Sequence, residues 1–260
     1  MRPSQRQGPA SLKLCSPDEL LGSLLERAEV QFPLELLPDA NLLPDRYSGD
    51  DYMSDFRWAT ECCWTDDDAG MRIAQIPAKE YIENFCYIWN YAFKNRIPFI
   101  CQKSRRLLIS WLCTSLELRQ ILRARSNGLI CDMTSPKSAN HLWRFDFMLK
   151  QLLIHKNKEF RHINWRALGS DDARETTDLA ILSNGSLVTQ THQAAASIQG
   201  AGKTFIRLEE LSRYDYPAAM FSQVKFVTMG EAGNENAGGG FISVITNQGT
   251  NPDYQMVKTL

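Results

Sequence analysis

The sequence predicts an α/β fold built on a mostly parallel sheet flanked by helices. Three observations carry that prediction. The apolar run Ile97–Cys101 passes through a basic turn into a helix-compatible segment, Trp111–Arg125. Leu129–Met133 then reads as a buried strand, and Ser135-Pro136 opens a second long helical stretch, Lys137 to about His155. Two later apolar runs, Thr204–Glu210 and Phe241–Asn247, end in acidic or small polar groups. Strand, helix, strand, helix with short connections is the pattern of βαβ units.

The elements before and between these follow from local chemistry. Met1 to about Leu14 is polar and lacks the apolar core of a signal peptide. Ser16-Pro17-Asp18-Glu19 supplies an N-cap, a first-turn proline and two acids at the positive end of a helix dipole, so a helix is expected to about Val30. Pro33, Pro38 and Pro44 then break the chain into short pieces. Asp45–Gly70 is acidic and aromatic, and its Asp66-Asp67-Asp68 reads as a solvated loop in preference to a cation site. Residues 1–70 are therefore expected to form a helical and irregular N-terminal appendage, and residues 71–260 the core. From Pro77, Tyr81, Phe85, Ile88, Trp89 and Ala92 recur at helical spacing, stopping near Asn95. Lys156–Thr177 is polar and irregular. Ser183-Asn184-Gly185-Ser186 lies between two β-like runs, a strong hairpin signal. Tyr216–Met229 reads as a helix, and Gly230–Gly240 as a Gly/Asn-rich loop.

Composition narrows the function classes. A chain of 260 residues with 43% hydrophobic and 23% charged residues can bury a large core. The net charge of -1 excludes a uniformly basic nucleic-acid coat but leaves room for a local basic channel. No apolar run approaches the ~20 residues of a membrane span. The seven cysteines show no CxxC and include the adjacent Cys62-Cys63, which favours a reduced, cytosolic chain. The four histidines have no metal-ligand spacing and read as structural or surface residues. Arg119, Arg123 and Arg125 read as a solvated helix face.

The chemistry centres on Ile97–Trp111. After the apolar run come Gln102-Lys103-Ser104-Arg105-Arg106, then Leu107-Leu108-Ile109-Ser110 and a helix. That is the order of a phosphate-binding loop, in which backbone N–H groups and a helix N-terminus face the anion. The usual pattern is G-x-x-x-x-G-K-[ST]. With Ser110 as the hydroxyl, Ile109 fills the lysine slot and Leu108 the glycine slot. Lys103, at the strand end, is the loop's lysine; a point charge needs only to arrive near the phosphate oxygens. A positive φ at Leu108 would cost ~1–2 kcal/mol. The competing reading is a basic surface turn. A rival loop, Gly200-Ala201-Gly202-Lys203-Thr204, carries a genuine Gly-Lys-Thr, but Ser197 stands at its first glycine position and no apolar strand enters it. A nucleotide motor also needs one carboxylate for Mg²⁺ and a second for the attacking water, both at the C-terminal end of a core strand. Glu209 and Glu210 fit that arrangement, and Thr246-Asn247 ends a later strand where a γ-phosphate could be sensed.

These residues resemble the ATPase domain of the large terminase subunit of tailed bacteriophages, in the variety that carries its phosphate-binding lysine early in the loop. The resemblance covers roughly Pro77 to Tyr254. It rests on Gln102–Arg106 with Ser110, on Ser197-Ile198-Gln199-Gly200 ahead of Glu209-Glu210, and on Thr246-Asn247. It implies a P-loop NTPase of the ASCE/RecA-like type that uses ATP and Mg²⁺ to drive double-stranded DNA into a procapsid. Lys103, with Ser104 beside it, would contact the phosphates, and Arg105 or Arg106 would lie along them or face a neighbouring subunit. Ser110 and Glu209 would hold the metal, Glu210 would polarise water, and Thr246 with Asn247 would couple hydrolysis to movement. Gln75 is the candidate for the adenine. The implied partners are a portal protein, a small terminase subunit and further copies of the chain in a ring, in the host cytoplasm. The family's nuclease domain has no counterpart in these residues, so an ATPase portion without DNA cleavage is expected. Three positions depart from the family pattern: Leu108 for glycine, Glu209 for aspartate, and Gln199 where arginine is common. They leave open a non-hydrolysing nucleotide- or DNA-binding module, and a structural α/β protein in which basic turn and acid pair never meet.

Overall fold

Side chains alternate across a pleated strand, so a strand buried on both faces must feed two separate cores. The computed structural model describes residues 41–67, 72–103, 108–169, 176–192, 203–229, 240–247 and 252–257. The helix expected at 16–30, the Gly/Asn-rich loop and residues 193–202 lie outside the described residues.

Two helices, α1 (Asp45–Ser48) and α2 (Tyr52–Cys62), lead into a hairpin of β1 (Trp64–Asp67) and β2 (Arg72–Gln75), followed by α3 (Glu80–Lys94). Then come β3 (Phe99–Gln102), α4 (Ile109–Arg123), β4 (Asn127–Asp132) and α5 (Ser135–Phe160). The chain continues through β5 (Trp165–Gly169), β6 (Thr176–Ile181), β7 (Ser186–His192), β8 (Phe205–Glu209), α6 (Pro217–Met229), β9 (Phe241–Thr246) and α7 (Pro252–Val257). The seven-stranded sheet runs β3-β9-β8-β4-β7-β6-β5. Its first five strands are parallel, and β6 and β5 add an antiparallel edge. β9, late in the chain, is thus inserted between β3 and β8.

The predicted mostly parallel sheet with flanking helices is the one observed, and its two cores follow strand parity. Phe205 on β8, Phe241 and Ile245 on β9 and Ile130 on β4 join one cluster with α2, α3, α4 and α5. Ile206, Leu208, Ile242, Val244, Leu129 and Cys131 face the other side, where Phe221, Val224 and Tyr254 cover them. Every residue of α4 from Ile109 to Leu122 is buried, which makes it the central helix of the first core. Gly128 sits opposite Phe205 in the β4–β8 register, and a Cβ there would lie 2.2 Å from the ring, so any larger residue would have to displace the Phe205 side chain. Gly185 has φ 72 in the β6–β7 turn, the left-handed geometry that the Asn-Gly signal anticipated.

Four expectations need correction. Residues 42–64 are not an appendage: Leu42, Tyr47, Trp58 and Cys62 belong to the same core cluster as α4. The Trp58 indole donates to Ser115 O at 2.7 Å, so the aromatic content of this segment is core. The polar stretch after His155 is not irregular throughout. Helix α5 runs on to Phe160 across a kink at Lys156 (φ -130, ψ 27), and β5 follows. Asp66 and Asp67 lie in β1, paired with Ile73 and Arg72, while Asp68 lies outside the described residues. Finally, Arg119 is fully buried and does not share a solvated face with Arg123 and Arg125.

Arg119 ties the front segment to the core. Its guanidinium contacts Asp55 Oδ1 at 2.6 Å, donates to Tyr47 O at 2.8 Å and also bonds Gly49 O. Asn90 donates to the other Asp55 oxygen at 2.7 Å. Burial pushes the Asp55 carboxyl up to about 6 against the pull of Arg119, which leaves the pair ionised at neutral pH. Removing one partner leaves an uncompensated buried charge, so Asp55→Ala is expected to cost about 3–5 kcal/mol in urea denaturation. The exposed Asp50→Ala, which loses only surface pairs, should cost about 1 kcal/mol or less.

Candidate active site

Parallel strands aim their C-terminal ends at one edge of the sheet, and the loops leaving β3, β8 and β9 meet there. Lys103 N donates to Thr246 O at 2.9 Å, continuing the β3–β9 ladder one residue past the strand. Glu210 N donates to Ile245 O at 2.7 Å on the other side of β9. The backbone of β9 therefore fixes the start of the basic loop and the end of the acidic strand together. This excludes the arrangement in which basic turn and acid pair lie apart.

The side chains close on one another. Lys103 Nζ donates to Ser110 Oγ at 2.5 Å, Ser110 Oγ donates to Glu209 Oε2 at 3.1 Å, and Lys103 Nζ lies 3.6 Å from the same oxygen. Ser110 occupies the first turn of α4, where the helix N-terminus favours negative charge. Leu108, immediately before the helix, has φ 55 and ψ 8, so the glycine slot of the loop does adopt the left-handed conformation with a leucine in it. Ser104, Arg105 and Arg106 lie outside the described residues.

The second acid is held separately. Glu210 has φ 56 and ψ 34, a left-handed turn immediately after β8. Asn247 Nδ2 donates to both Glu210 carboxylate oxygens at 2.9 Å, and Arg213 Nε lies 3.6 Å from Oε2. Thr246 Oγ1 donates to Ser212 Oγ at 2.8 Å and accepts from Ser212 N at 3.1 Å, tying the end of β9 to the 3-10 turn that precedes α6. Gln75 ends β2, exposed, with Nε2 donating to Glu61 O at 3.1 Å. The rival Lys203 precedes a strand in place of a helix and sits at the opposite end of β8. It donates to Asn127 Oδ1 at 3.0 Å, and burial pulls its ammonium down to about 8.

Behind the site stands a buried polar wall that sequence reading missed. Arg207 is two residues before Glu209, hence on the same strand face, and its Nε lies 3.5 Å from Glu209 Oε1. Its NH1 contacts Glu117 Oε2 at 2.9 Å and donates to Thr114 Oγ1 at 3.0 Å. Ser243 Oγ donates to Glu117 Oε1 at 3.4 Å. Ser110, Thr114 and Glu117 are spaced four and three apart, one stripe of α4, which was the sequence signal for this wall. Burial pushes the Glu117 carboxyl up to about 7, partly opposed by Arg207. His141 Nε2 lies 3.1 Å from Asp132 Oδ2, and Arg144 NH1 donates to His141 Nδ1 at 3.0 Å. Burial, with Arg144 adding to it, drives the imidazole pKa well below its usual value. The ring is therefore neutral, donates through Nε2 to Asp132, and has no proton on Nδ1 to give Glu209 Oε1 at 3.7 Å. Burial raises Asp132 to about 6.

No family model matches the chain, and no curated protein matches it. Its fold is similar to that of the HK97 bacteriophage large terminase, with a TM-score of 0.55 at 10% identity. The match covers 80% of this chain and 41% of that one, so the chain spans about two fifths of the HK97 protein's length. A mutant of the Thermus phage P74-26 large terminase ATPase domain aligns with a TM-score of 0.40 at 15% identity, over 61% of this chain and 62% of its own. No helix among the described residues is long and apolar enough to cross a membrane.

The strain at Leu108 is testable by itself. Leu108→Gly relieves ~1–2 kcal/mol of left-handed strain. It also forfeits a half-buried side chain and adds unfolded-state freedom, together of similar size. Urea denaturation is expected to place Leu108→Gly within about 1 kcal/mol of the parent, the opposed effects nearly cancelling. Leu112→Gly, one turn on and fully buried in α4, should cost about 3–5 kcal/mol.

Proposed function

We propose that the chain is the ATP-hydrolysing motor portion of a viral DNA-packaging terminase, driving double-stranded DNA into a procapsid. One observation carries the reading. A lysine from the β3 loop, a hydroxyl from the first turn of α4 and a carboxylate from the end of β8 converge within hydrogen-bonding or ion-pairing distance. The fold shared with the HK97 large terminase supports it.

The residues present fit ATP and Mg²⁺. Ser110 Oγ and the Glu209 carboxylate are hard oxygen donors 3.1 Å apart, and Glu209 Oε1 is buried without a hydrogen-bond partner. Mg²⁺ is usually held by one or two carboxylates plus substrate phosphates, so no dedicated cage is needed. When bound, the ion supplies charge neutralisation on the phosphate oxygens. Ser110 and Glu209 would hold it, with Glu209 braced from behind by Arg207. Lys103 is the chain's own cation for the β/γ-phosphates, with Ser104 beside it and Arg105 or Arg106 along the phosphates or towards a neighbouring subunit. Gln75 is assigned to the adenine.

Glu210 takes the proton from the attacking water. Its carboxylate is oriented by the Asn247 amide, which leaves its remaining lone pairs for water. Asn247 follows Thr246, which bonds Ser212 at the entrance to α6, so a change at Glu210 is passed into the helix behind it. Portal protein, small terminase subunit and a ring of copies complete the proposed assembly.

Steady-state ATP hydrolysis with Mg²⁺ tests the assignment. Lys103→Ala and Glu210→Gln are each expected to lower kcat by about 10²-fold or more, from loss of charge stabilisation in one case and of the general base in the other. Asp50→Ala serves as a surface control. Turnover indifferent to both site substitutions would overturn the assignment. Nucleotide binding lost in Lys103→Ala, with no turnover in the parent chain, would instead establish the non-hydrolysing module.

A further inference from the structure

Helix α3 is apolar on both sides. Its inner face buries Ile82, Phe85, Cys86, Trp89 and Ala92. Its outer face carries Tyr81, Tyr87, Ile88 and Tyr91, which are 37%, 56%, 53% and 58% exposed. These are four of the eight large apolar side chains exposed among the described residues, so the patch belongs to this helix and not to the surface at large. The Tyr52 ring meets Tyr87 edge-on at 5.2 Å and widens it. A surface helix turns a polar face to water, whereas one that is apolar all round has both faces covered.

The order of residues on the outer face points to what covers it. Glu80, Asn84, Tyr87, Tyr91 and Lys94 follow one another at alternating spacings of four and three. That alternation keeps a row in line along a helix, as in the seam through which two helices pack. The row is acidic at its start and basic at its end: Glu80 and Glu83 stand in the first turn, Lys94 in the last. Tyr87 is the midpoint between Glu80 and Lys94. A copy of the helix laid antiparallel therefore sets Glu80 against Lys94 at both ends and Tyr87 against Tyr87 in the middle. A parallel copy would bring like charges together at both ends. Lys94 also lies 3.4 Å from Asp50, an exposed pair of the kind that binds weakly and yields to a second acid.

We infer that α3 docks on the α3 of a second copy of this chain, antiparallel, about a two-fold axis beside Tyr87. Such a contact is isologous and closes at two copies. It is therefore distinct from the head-to-tail contacts that build a ring, and it does not rest on the motor reading. Tyrosine suits a face that is exposed in the single chain, since each ring offers an apolar body and a hydroxyl that stays wet. Fifteen residues of helix span roughly 22 Å at ~1.5 Å per residue. One seam of that length lies at or below the ~1,200 Å² of the smaller specific interfaces, so reversible association at micromolar concentrations is expected.

Sedimentation equilibrium of the full chain, at concentrations up to about 100 μM, tests the inference. The parent is expected to be a reversible dimer, and Tyr87→Glu should weaken it by about 100-fold or more. Glu80→Lys should weaken it by about fivefold or more, and adding Lys94→Glu should restore it, because the exchanged charges pair again across the axis. Mild oxidation gives a second readout. Tyr87→Cys should form a disulfide-linked dimer, since a residue at a two-fold axis meets itself, and should do so much faster than the parent or the exposed Ile154→Cys on α5. A parent that stays monomeric leaves the face to another occupant and overturns the inference. So does a dimer that survives Tyr87→Glu, or one in which Tyr87→Cys links no faster than Ile154→Cys, the mark of a different contact between copies. The Lys103→Ala and Glu210→Gln variants decide hydrolysis and the α3 variants decide pairing, so either reading can fail without the other.

Discussion

The contact between Lys103 and Glu209 is the constraint on which the site depends. The Ser110–Glu209 hydrogen bond beside it joins residues 99 positions apart, so it exists only if β3, α4 and β8 are all in register. That register is delivered by β9. Its residues Ile245 and Thr246 accept the backbone N–H groups of Glu210 and Lys103, one on each side. The last strand of the sheet in chain order is thereby the clamp for loops that precede it. The same strand ends in Thr246 and Asn247, whose side chains hold the second acid and the turn behind it.

The wall behind Glu209 answers a physical problem. A carboxylate 1% exposed is costly to bury unless compensated, and the compensation here is layered. Lys103 faces one oxygen, Arg207 the other, and Glu117 neutralises the surplus of Arg207. Apolar replacements of similar volume could be as stable, because buried ion pairs repay little more than their own desolvation. Orientation is what they would lose. Arg207 Nε lies 3.5 Å from Glu209 Oε1, while Oε2 faces Ser110 and Lys103. His141 contributes shape and one hydrogen bond to Asp132 without adding charge.

Legibility in the sequence followed locality. The parallel sheet, α3, α4, α5 and the β6–β7 hairpin could be read because each carries its own periodicity, cap or turn residue. Lys103, Ser110 and Glu209 could be paired because strand ends in an open α/β sheet converge at one edge. Residues 42–64 could not be assigned to the core from their acidic composition, since the partners of Tyr47 and Trp58 lie far along the chain: Phe160 against both rings and Ser115 O on the Trp58 indole. β5 was hidden because it is an edge strand whose pairing is set by its partner β6 more than by Trp165–Gly169 themselves. Arg207 sat in a run that looked simply apolar. The period-2 rule together with the Ser110–Thr114–Glu117 stripe was the signal that would have placed a charge pair inside that core.

Leu108 and Glu210 share one further property that links fold to site. Both are non-glycine residues in the left-handed region; Leu108 immediately precedes α4 and Glu210 immediately follows β8. Each costs about 1–2 kcal/mol, a sizeable fraction of the net stability of a domain. Glycine would avoid the cost but would also let each turn sample other conformations. At Leu108 the side chain packs against the main core, and Leu112 N bonds its carbonyl at 2.9 Å to start α4. At Glu210 the backbone N–H is fixed to β9 and the carboxylate to Asn247. Each strained turn is thus overdetermined on both sides, by packing in one case and hydrogen bonds in the other. Strain held in this way fixes the positions of Ser110 and the Glu210 carboxylate within the fold itself.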